Sequence, residues 1–151
     1  MNQSMNLGRA SEYFVTSKLL NEYREVYLPV VDDHGVDLLV RTIQQDNTHQ
    51  YQEIQIKSIS SGGLFAAISC PQPAPNYWFV FYIKEINTMW LINSMDFVKL
   101  ASQNVKGKNI GKYSLSLANK KGITAKCSQF VYTNLFFKKQ MGTEIQSPFY
   151  L

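Results

Sequence analysis

The segment Tyr51 to Ser58 (YQEIQIKS) presents a carboxylate, an amide and an ammonium in a row. Side chains alternate along extended backbone, so Glu53, Gln55 and Lys57 point one way and Ile54 and Ile56 the other. The isoleucines can anchor a core, which leaves the polar row for chemistry. The segment Val36 to Thr42 (VDLLVRT) places Val36, Leu38 and Val40 on one face, and Asp37 follows a glycine turn at the mouth of its strand. If the two strands pair as a hairpin, Asp37 converges with the Gln55 and Lys57 end. A further carboxylate comes from a helix. Gly8, Glu12, Val15 and Leu19 fall at i, i+4, i+7 and i+11, one sheet-facing stripe. A carboxylate there is costly unless it meets a cation or a metal. Gly8, one turn earlier, admits a neighbouring backbone or a ligand.

The elements that must carry these residues are readable from pattern. Residues 5–22 predict a helix with Leu7, Ala10, Phe14, Val15, Leu19 and Leu20 as a broad apolar stripe, capped by Ser4 or Asn6. Tyr23 to Val31 predicts a strand near a sheet edge, because Pro29 lacks a ladder donor. Asp32 to Gly35 predicts a turn. Gln44 to Gln50 predicts the hairpin connection, Ser60 to Gly63 a loop, and residues 64–70 a short strand. Pro71, Pro73 and Pro75 predict an extended connector. Tyr77 to Ile83 (YWFVFYI) is nearly unbroken aromatic and β-branched sequence and predicts a strand covered on both faces. A turn at Glu85 to Asn87 leads to a strand over Thr88 to Ile92, and Ser94 is expected to cap a helix over Met95 to Ala101. Tyr113 to Leu117 predicts a strand, and Phe130 to Phe137 fits strand or helix equally. The sum is an α/β (α+β) domain with a mixed sheet, its core over about residues 5–100 and a lysine-rich part over about 101–151.

A helix Glu, then G-x-D on a strand, then [EQ]-x-K on the next resembles the PD-(D/E)XK nuclease superfamily, the restriction-endonuclease-like fold. The carriers are Glu12, Gly35-Val36-Asp37 and Gln55-Ile56-Lys57-Ser58. Their spacing, 25 residues from Glu12 to Asp37 and 18 more to Gln55, is similar to small Holliday-junction resolvases and to homing endonucleases of this superfamily. The likeness covers roughly residues 5–92 and leaves the basic tail unexplained. It implies a metal-dependent DNA endonuclease that hydrolyses phosphodiester bonds with Mg²⁺, for which Mn²⁺ can substitute. It implies Asp37, Gln55 and the Ile56 carbonyl as ligands, with Glu12 binding a second ion or a water of the first. It assigns to Lys57 the attacking water and a phosphate oxygen. All the ligands are hard oxygen donors, which suit Mg²⁺.

The sequence departs from that pattern at Gln55, whose amide oxygen can coordinate a cation but brings no charge. Glu53, about 7 Å away on the same face at the strand rise, is a candidate substitute or a solvated edge charge. The departure sustains a second reading, a catalytically inactive DNA-binding or scaffold protein of the same fold. Bland readings also exist for single residues. Glu12 can pair with Arg9 or Lys18, and Ser58 can bond a phosphate or simply end its strand. Asp32, Asp33 and His34 read as turn residues, Cys70 and Cys127 as buried thiols, and Trp78, Phe79, Phe81 and Trp90 as core.

Composition bounds the rest. Among 151 residues 45% are apolar, which is enough for a packed core and excludes intrinsic disorder. No run is long and apolar enough for a membrane span, no secretory signal pattern is present, and two distant cysteines argue for a reducing, cytoplasmic setting. Charge is asymmetric. Residues 1–60 hold eight acids against five bases, whereas residues 101–140 hold eight lysines and no acid. That half is expected to face a polyanion, through Lys106, Lys108, Lys112, Lys120, Lys121 and Lys126, with Ser58 beside the site. One domain carries one site, so a duplex cutter is expected to be a homodimer or homotetramer. The YWFVFYI strand and the SPFYL end can bury themselves at such an interface or complete the core.

Overall fold

The computed structural model describes residues 3–22, 25–31, 35–44, 46–59, 65–69, 73–119 and 121–132. Helix α1 spans Gln3–Glu22 and is followed by β1 (Val26–Tyr27), β2 (Leu38–Ile43) and β3 (His49–Ile59). Then come β4 (Phe65–Ile68), β5 (Tyr77–Ile83), a 3₁₀ turn at Lys84–Ile86, β6 (Thr88–Asn93) and α2 (Ser94–Leu100). The chain continues through β7 (Ser102–Gln103), β8 (Tyr113–Ser116), β9 (Ala118–Asn119), β10 (Gly122–Ile123) and α3 (Ala125–Ser128).

The central sheet has the order β1-β2-β3-β5-β6. Its β3–β5 pair is parallel and the others antiparallel, so the expected mixed sheet is present. Every residue of β5 is buried, as its unbroken apolar sequence requires. The pleat sorts β5 into two cores. Trp78, Val80 and Tyr82 join Ile54, Ile56, Leu38 and Val40 beneath α1, where Val15 and Leu19 meet them. Tyr77, Phe79, Phe81 and Ile83 face the other way, onto Phe97 of α2, Leu115 of β8 and Cys127 of α3. A second sheet, β4-β8-β7, lies in sequence around this second core. Among its described residues, the parallel β3-to-β5 connection carries a strand, β4, and no helix.

Several local expectations need correction. The helix buries a narrower face than its apolar residues suggest. Ser11, Val15, Thr16 and Leu19 are buried, whereas Ala10, Phe14 and Leu20 are exposed. Phe14 instead stacks its ring on Tyr82 at 4.9 Å. The helix begins at Gln3, so Ser4 and Asn6 lie inside it and do not cap it. The strand expected over Tyr23 to Val31 reduces, within its described part, to Val26 and Tyr27, paired with Val40 and Leu39. The pairing stops at Tyr27↔Leu39 although Leu38 of β2 lies next in register, Pro29 has no N–H, and Leu28 to Val31 run exposed. Asn93, not Ser94, caps α2, its side chain accepting from the Met95 N–H at 3.0 Å. Ser94 is buried and exchanges bonds with the Ala74 N–H (3.0 Å) and carbonyl (2.9 Å). Of Phe130 to Phe137, Val131 bridges to Trp90 at the β6 edge, and 133–137 fall outside the described residues. So do Cys70, Asp32, Asp33, His34 and the SPFYL end. YWFVFYI is buried by this chain itself, which leaves no face of it for a partner. Among the described residues no helix is long and apolar enough to cross a membrane.

Candidate active site

Strands β2 and β3 pair from Ile43↔His49 to Leu38↔Ile54, and the next residue of β2's chain is Asp37. The Asp37 N–H still donates to the Ile54 carbonyl at 2.9 Å. Its carboxylate then turns into the plane of the sheet, where Oδ2 accepts the Ile56 N–H at 2.5 Å. A side chain here does the work of a ladder carbonyl just where β2 leaves β3. Gly35 causes the departure, with a left-handed φ of 73° that costs an L side chain about 1–2 kcal/mol. In a strand the N–H and C=O of one residue face the same neighbour, so the Ile56 carbonyl also faces this opening.

Glu12 approaches from α1. Glu12, Asp37 and Ile56 line one groove of about 420 Å³, with Arg9, Tyr13 and Thr16 of the helix and Leu28, Pro29 and Val30 on its rim. Glu12 and Asp37 are both half-buried. The Thr16 hydroxyl donates to the Glu12 carbonyl at 2.7 Å, a local bond that holds this turn.

The amide and the lysine belong to the opposite face. Gln55 is paired in register with Phe79 and Lys57 with Phe81, and both phenylalanines belong to the core away from α1. Gln55 is 8% exposed. Its Oε1 accepts from the Tyr77 hydroxyl at 3.2 Å, and its Nε2 lies where a side chain on Gly35 would stand. Lys57 is half-buried and Ser58 exposed. The structure therefore brings Glu12, Asp37 and Ile56 into one groove and Gln55 against Gly35 on the other face of β3, but it does not bring Lys57, also on that face, into the groove, so the expected convergence with Asp37 is partial. Glu53 is half-buried one step further along β3.

Three contributors were not apparent in the sequence. Tyr77 orients Gln55, and the only signal for it is the parallel register that brings β5 beside β3. Tyr13 and Arg9, at i+1 and i−3 of Glu12, line the groove; helical spacing sets Arg9 on the face of Glu12, as a groove residue as well as an ion-pair candidate. Among the expected phosphate-binding lysines, Lys106, Lys108, Lys121 and Lys126 are exposed and Lys112 is half-buried, while Lys120 lies outside the described residues. Lys126 is partly committed, its Nζ donating to the Leu100 carbonyl at the end of α2 at 2.7 Å.

Among the described residues no three His, Cys, Asp or Glu side chains gather into a metal-holding group. The donor set is two carboxylates and a backbone carbonyl, with a neutral amide behind. That fits Mg²⁺, which is commonly held by one or two carboxylates plus waters and substrate phosphate. It does not fit a closed, soft-ligand site.

The chain superposes on the structure of a bacterial homing endonuclease, I-Ssp6803I, with a TM-score of 0.52 at 13% sequence identity. The match covers 86% of this chain and 89% of that one. At this identity the shared property is the fold, an endonuclease-like α+β architecture around a mixed sheet. No protein-family model matches the chain, and no curated protein matches it by sequence.

Proposed function

We propose that this protein is a Mg²⁺-dependent DNA endonuclease of the PD-(D/E)XK type. The observation that carries the reading is the Asp37 carboxylate seated on the Ile56 N–H at the mouth of β2 and β3, with Glu12 on the same groove. In this reading Asp37 and the Ile56 carbonyl hold the ion, and Glu12 holds a second ion or a water of the first. Gln55 contributes a neutral oxygen, its orientation set by Tyr77. When bound, Mg²⁺ neutralises charge on the scissile phosphate and lowers the pKa of a water. Lys57 orients that water and pairs with a phosphate oxygen, as an ammonium with three rotatable donors can. Ser58, Lys106, Lys108, Lys112, Lys120, Lys121 and Lys126 contact the backbone of the substrate. Cutting both strands requires two copies, so the working form is a homodimer or homotetramer. The neighbour's homing activity supports a site-directed cutter; junction and restriction substrates are the alternatives.

The second reading is a DNA-binding or scaffold protein of the same fold without activity. Gln55 favours it, because the amide brings no charge and its oxygen already accepts from Tyr77.

Nicking of supercoiled plasmid with Mg²⁺ or Mn²⁺ separates the two. Activity that disappears in both Asp37→Ala and Lys57→Ala supports the nuclease. Wild-type protein inert with every divalent ion supports the scaffold.

A further inference from the structure

Strands β7 and β8 belong to the three-stranded β4-β8-β7 sheet, and their hairpin, Ser102↔Ser114 and Gln103↔Tyr113, continues past the last β4 pair, Ile68↔Tyr113, into residues 104–112. Its base is stapled. The Asn104 N–H donates to the Lys112 carbonyl at 2.8 Å and the Gly111 N–H to the Asn104 carbonyl at 2.8 Å. The Asn104 side chain adds bonds to the Lys112 carbonyl (3.0 Å) and to the Ser114 hydroxyl (2.6 Å). Inside the loop, the Ile110 N–H reaches the Gly107 carbonyl (3.2 Å) and the Lys112 N–H the Asn109 carbonyl (3.0 Å). Gly107 and Gly111 take left-handed φ values of 79° and 80°, which only glycine adopts freely. The tip is therefore ordered by its own bonds before any partner arrives.

What that tip displays is unusual for a solvated turn. Val105 is 75% and Ile110 66% exposed, and Lys106 and Lys108 stand exposed between them. No acidic residue occurs between Asp96 and Glu144 to offset the charge. Two apolar branched side chains with two lysines between them, on a preorganised hairpin end that runs two-stranded beyond β4, match one surface closely. The major groove of B-DNA is about 12 Å wide and admits a two-stranded ribbon. It offers thymine methyl groups to apolar side chains and is walled by phosphates that take lysines. An anionic membrane would share the charge, but membrane-seeking surfaces insert Trp, Phe or Leu, which this tip lacks.

The geometry points to the 104–112 ribbon as a major-groove reader, with Val105 and Ile110 contacting thymine methyls and Lys106 and Lys108 the flanking phosphates. This rests on the nuclease reading only in taking duplex DNA as the partner, and it holds equally for an inactive DNA-binding protein.

The test uses full-length protein in EDTA and a 40-bp duplex enriched by wild type from a random pool. Replacing thymine by uracil in that duplex removes only the major-groove methyls. Wild type should then bind about tenfold more weakly, the order of one lost base contact. Val105→Ser/Ile110→Ser, checked for native fold by circular dichroism, should change by less than about twofold on the same replacement. Lys106→Ala/Lys108→Ala should flatten the log–log salt dependence by about 1.8, or 0.9 for each phosphate. Equal wild-type affinity for both duplexes, competition by a minor-groove ligand instead, or tighter binding to phosphatidylserine vesicles than to DNA overturns the inference. Absent plasmid nicking together with uracil discrimination leaves the ribbon standing and removes the nuclease. Nicking without discrimination does the reverse.

Discussion

The Tyr77 hydroxyl donates to the Gln55 amide oxygen at 3.2 Å, and the amide nitrogen of Gln55 rests against Gly35. Two neighbours on different elements thus fix the orientation of this neutral side chain. Gln55→Glu tests what that neutrality does. At 8% exposure a carboxylate would be buried against the Gly35 backbone, where the amide nitrogen of Gln55 now sits. Without divalent ions the variant should lose about 2 kcal/mol of stability, the order of a buried group left without a proper partner. Mg²⁺ should return part of it, because an ion that binds only the folded state stabilises that state. Thermal melts with EDTA and with millimolar Mg²⁺ measure both numbers. A variant whose melting is indifferent to Mg²⁺ would remove Gln55 from the metal's surroundings.

Asp37 has two separable jobs, holding the Ile56 N–H and supplying charge. Asp37→Asn keeps an acceptor oxygen and should cost under about 1 kcal/mol, and on the proposed nuclease reading it should abolish Mg²⁺-dependent nicking. Asp37→Ala leaves the N–H without its bond and should cost about 1–3 kcal/mol in addition to activity. Urea titrations of the two variants give the comparison. Equal destabilisation would mean that the hydrogen bond contributes nothing to holding the strand opening.

Gly35→Ala should be destabilising twice over. A left-handed alanine costs about 1–2 kcal/mol, and its methyl would collide with the Gln55 amide nitrogen. Only the second part depends on Gln55. In a double-mutant cycle with Gln55→Ala the coupling should be about 1 kcal/mol, because shortening residue 55 clears the collision and leaves the backbone cost. Additive effects would show that the amide simply moves aside.

The parts of this architecture that were legible in the sequence are those dictated by local periodicity. YWFVFYI reads as a doubly covered strand because nothing in it suits a solvent face, and β5 has those bounds. The alternation of YQEIQIKS correctly put Ile54 and Ile56 under one core and Gln55 on the other face. What could not be read depends on pairing between distant segments. The segment Leu28 to Val31 has strand composition, yet its pairing with β2 ends at Tyr27↔Leu39. Asn93 and Ser94 are both good caps, and only the proximity of Ala74 decides that Ser94 turns inward. The grip of Asp37 on Ile56 follows from where the β2–β3 ladder stops, and the bond from Tyr77 to Gln55, 22 residues apart, from the parallel register of β3 and β5.

That division predicts the behaviour of α2. Asn93→Ala removes a helix cap and should cost about 1 kcal/mol. Ser94→Ala strips the Ala74 N–H of its partner, while the Ala74 carbonyl keeps the Tyr77 N–H, and should cost about 1–3 kcal/mol. Ser94→Ala should therefore be the worse of the two, the opposite of what a capping serine predicts. Chemical denaturation of both variants decides, and a harmless Ser94→Ala would return the cap to Ser94.

The β2–β3 connection supplies a pH-dependent element. Asp46 Oδ1 accepts from the Thr48 hydroxyl at 2.6 Å and from the Thr48 N–H at 2.9 Å. These bonds, the hydroxyl first, hold its carboxyl below the ordinary value of 3.8. The folded state therefore favours the ionised form. Its contribution is complete above the unfolded-state value and is lost as pH falls through the folded one. Thr48→Val removes the hydroxyl and keeps the N–H, so the Asp46 carboxyl should titrate nearer to 3.8 in carbon-detected NMR. The stability gap between wild type and variant should be constant near neutral pH and should narrow once pH drops below about 4, as both carboxyls protonate. A gap unchanged down to pH 2 would show that Thr48 acts through packing or turn geometry and not through the charge on Asp46.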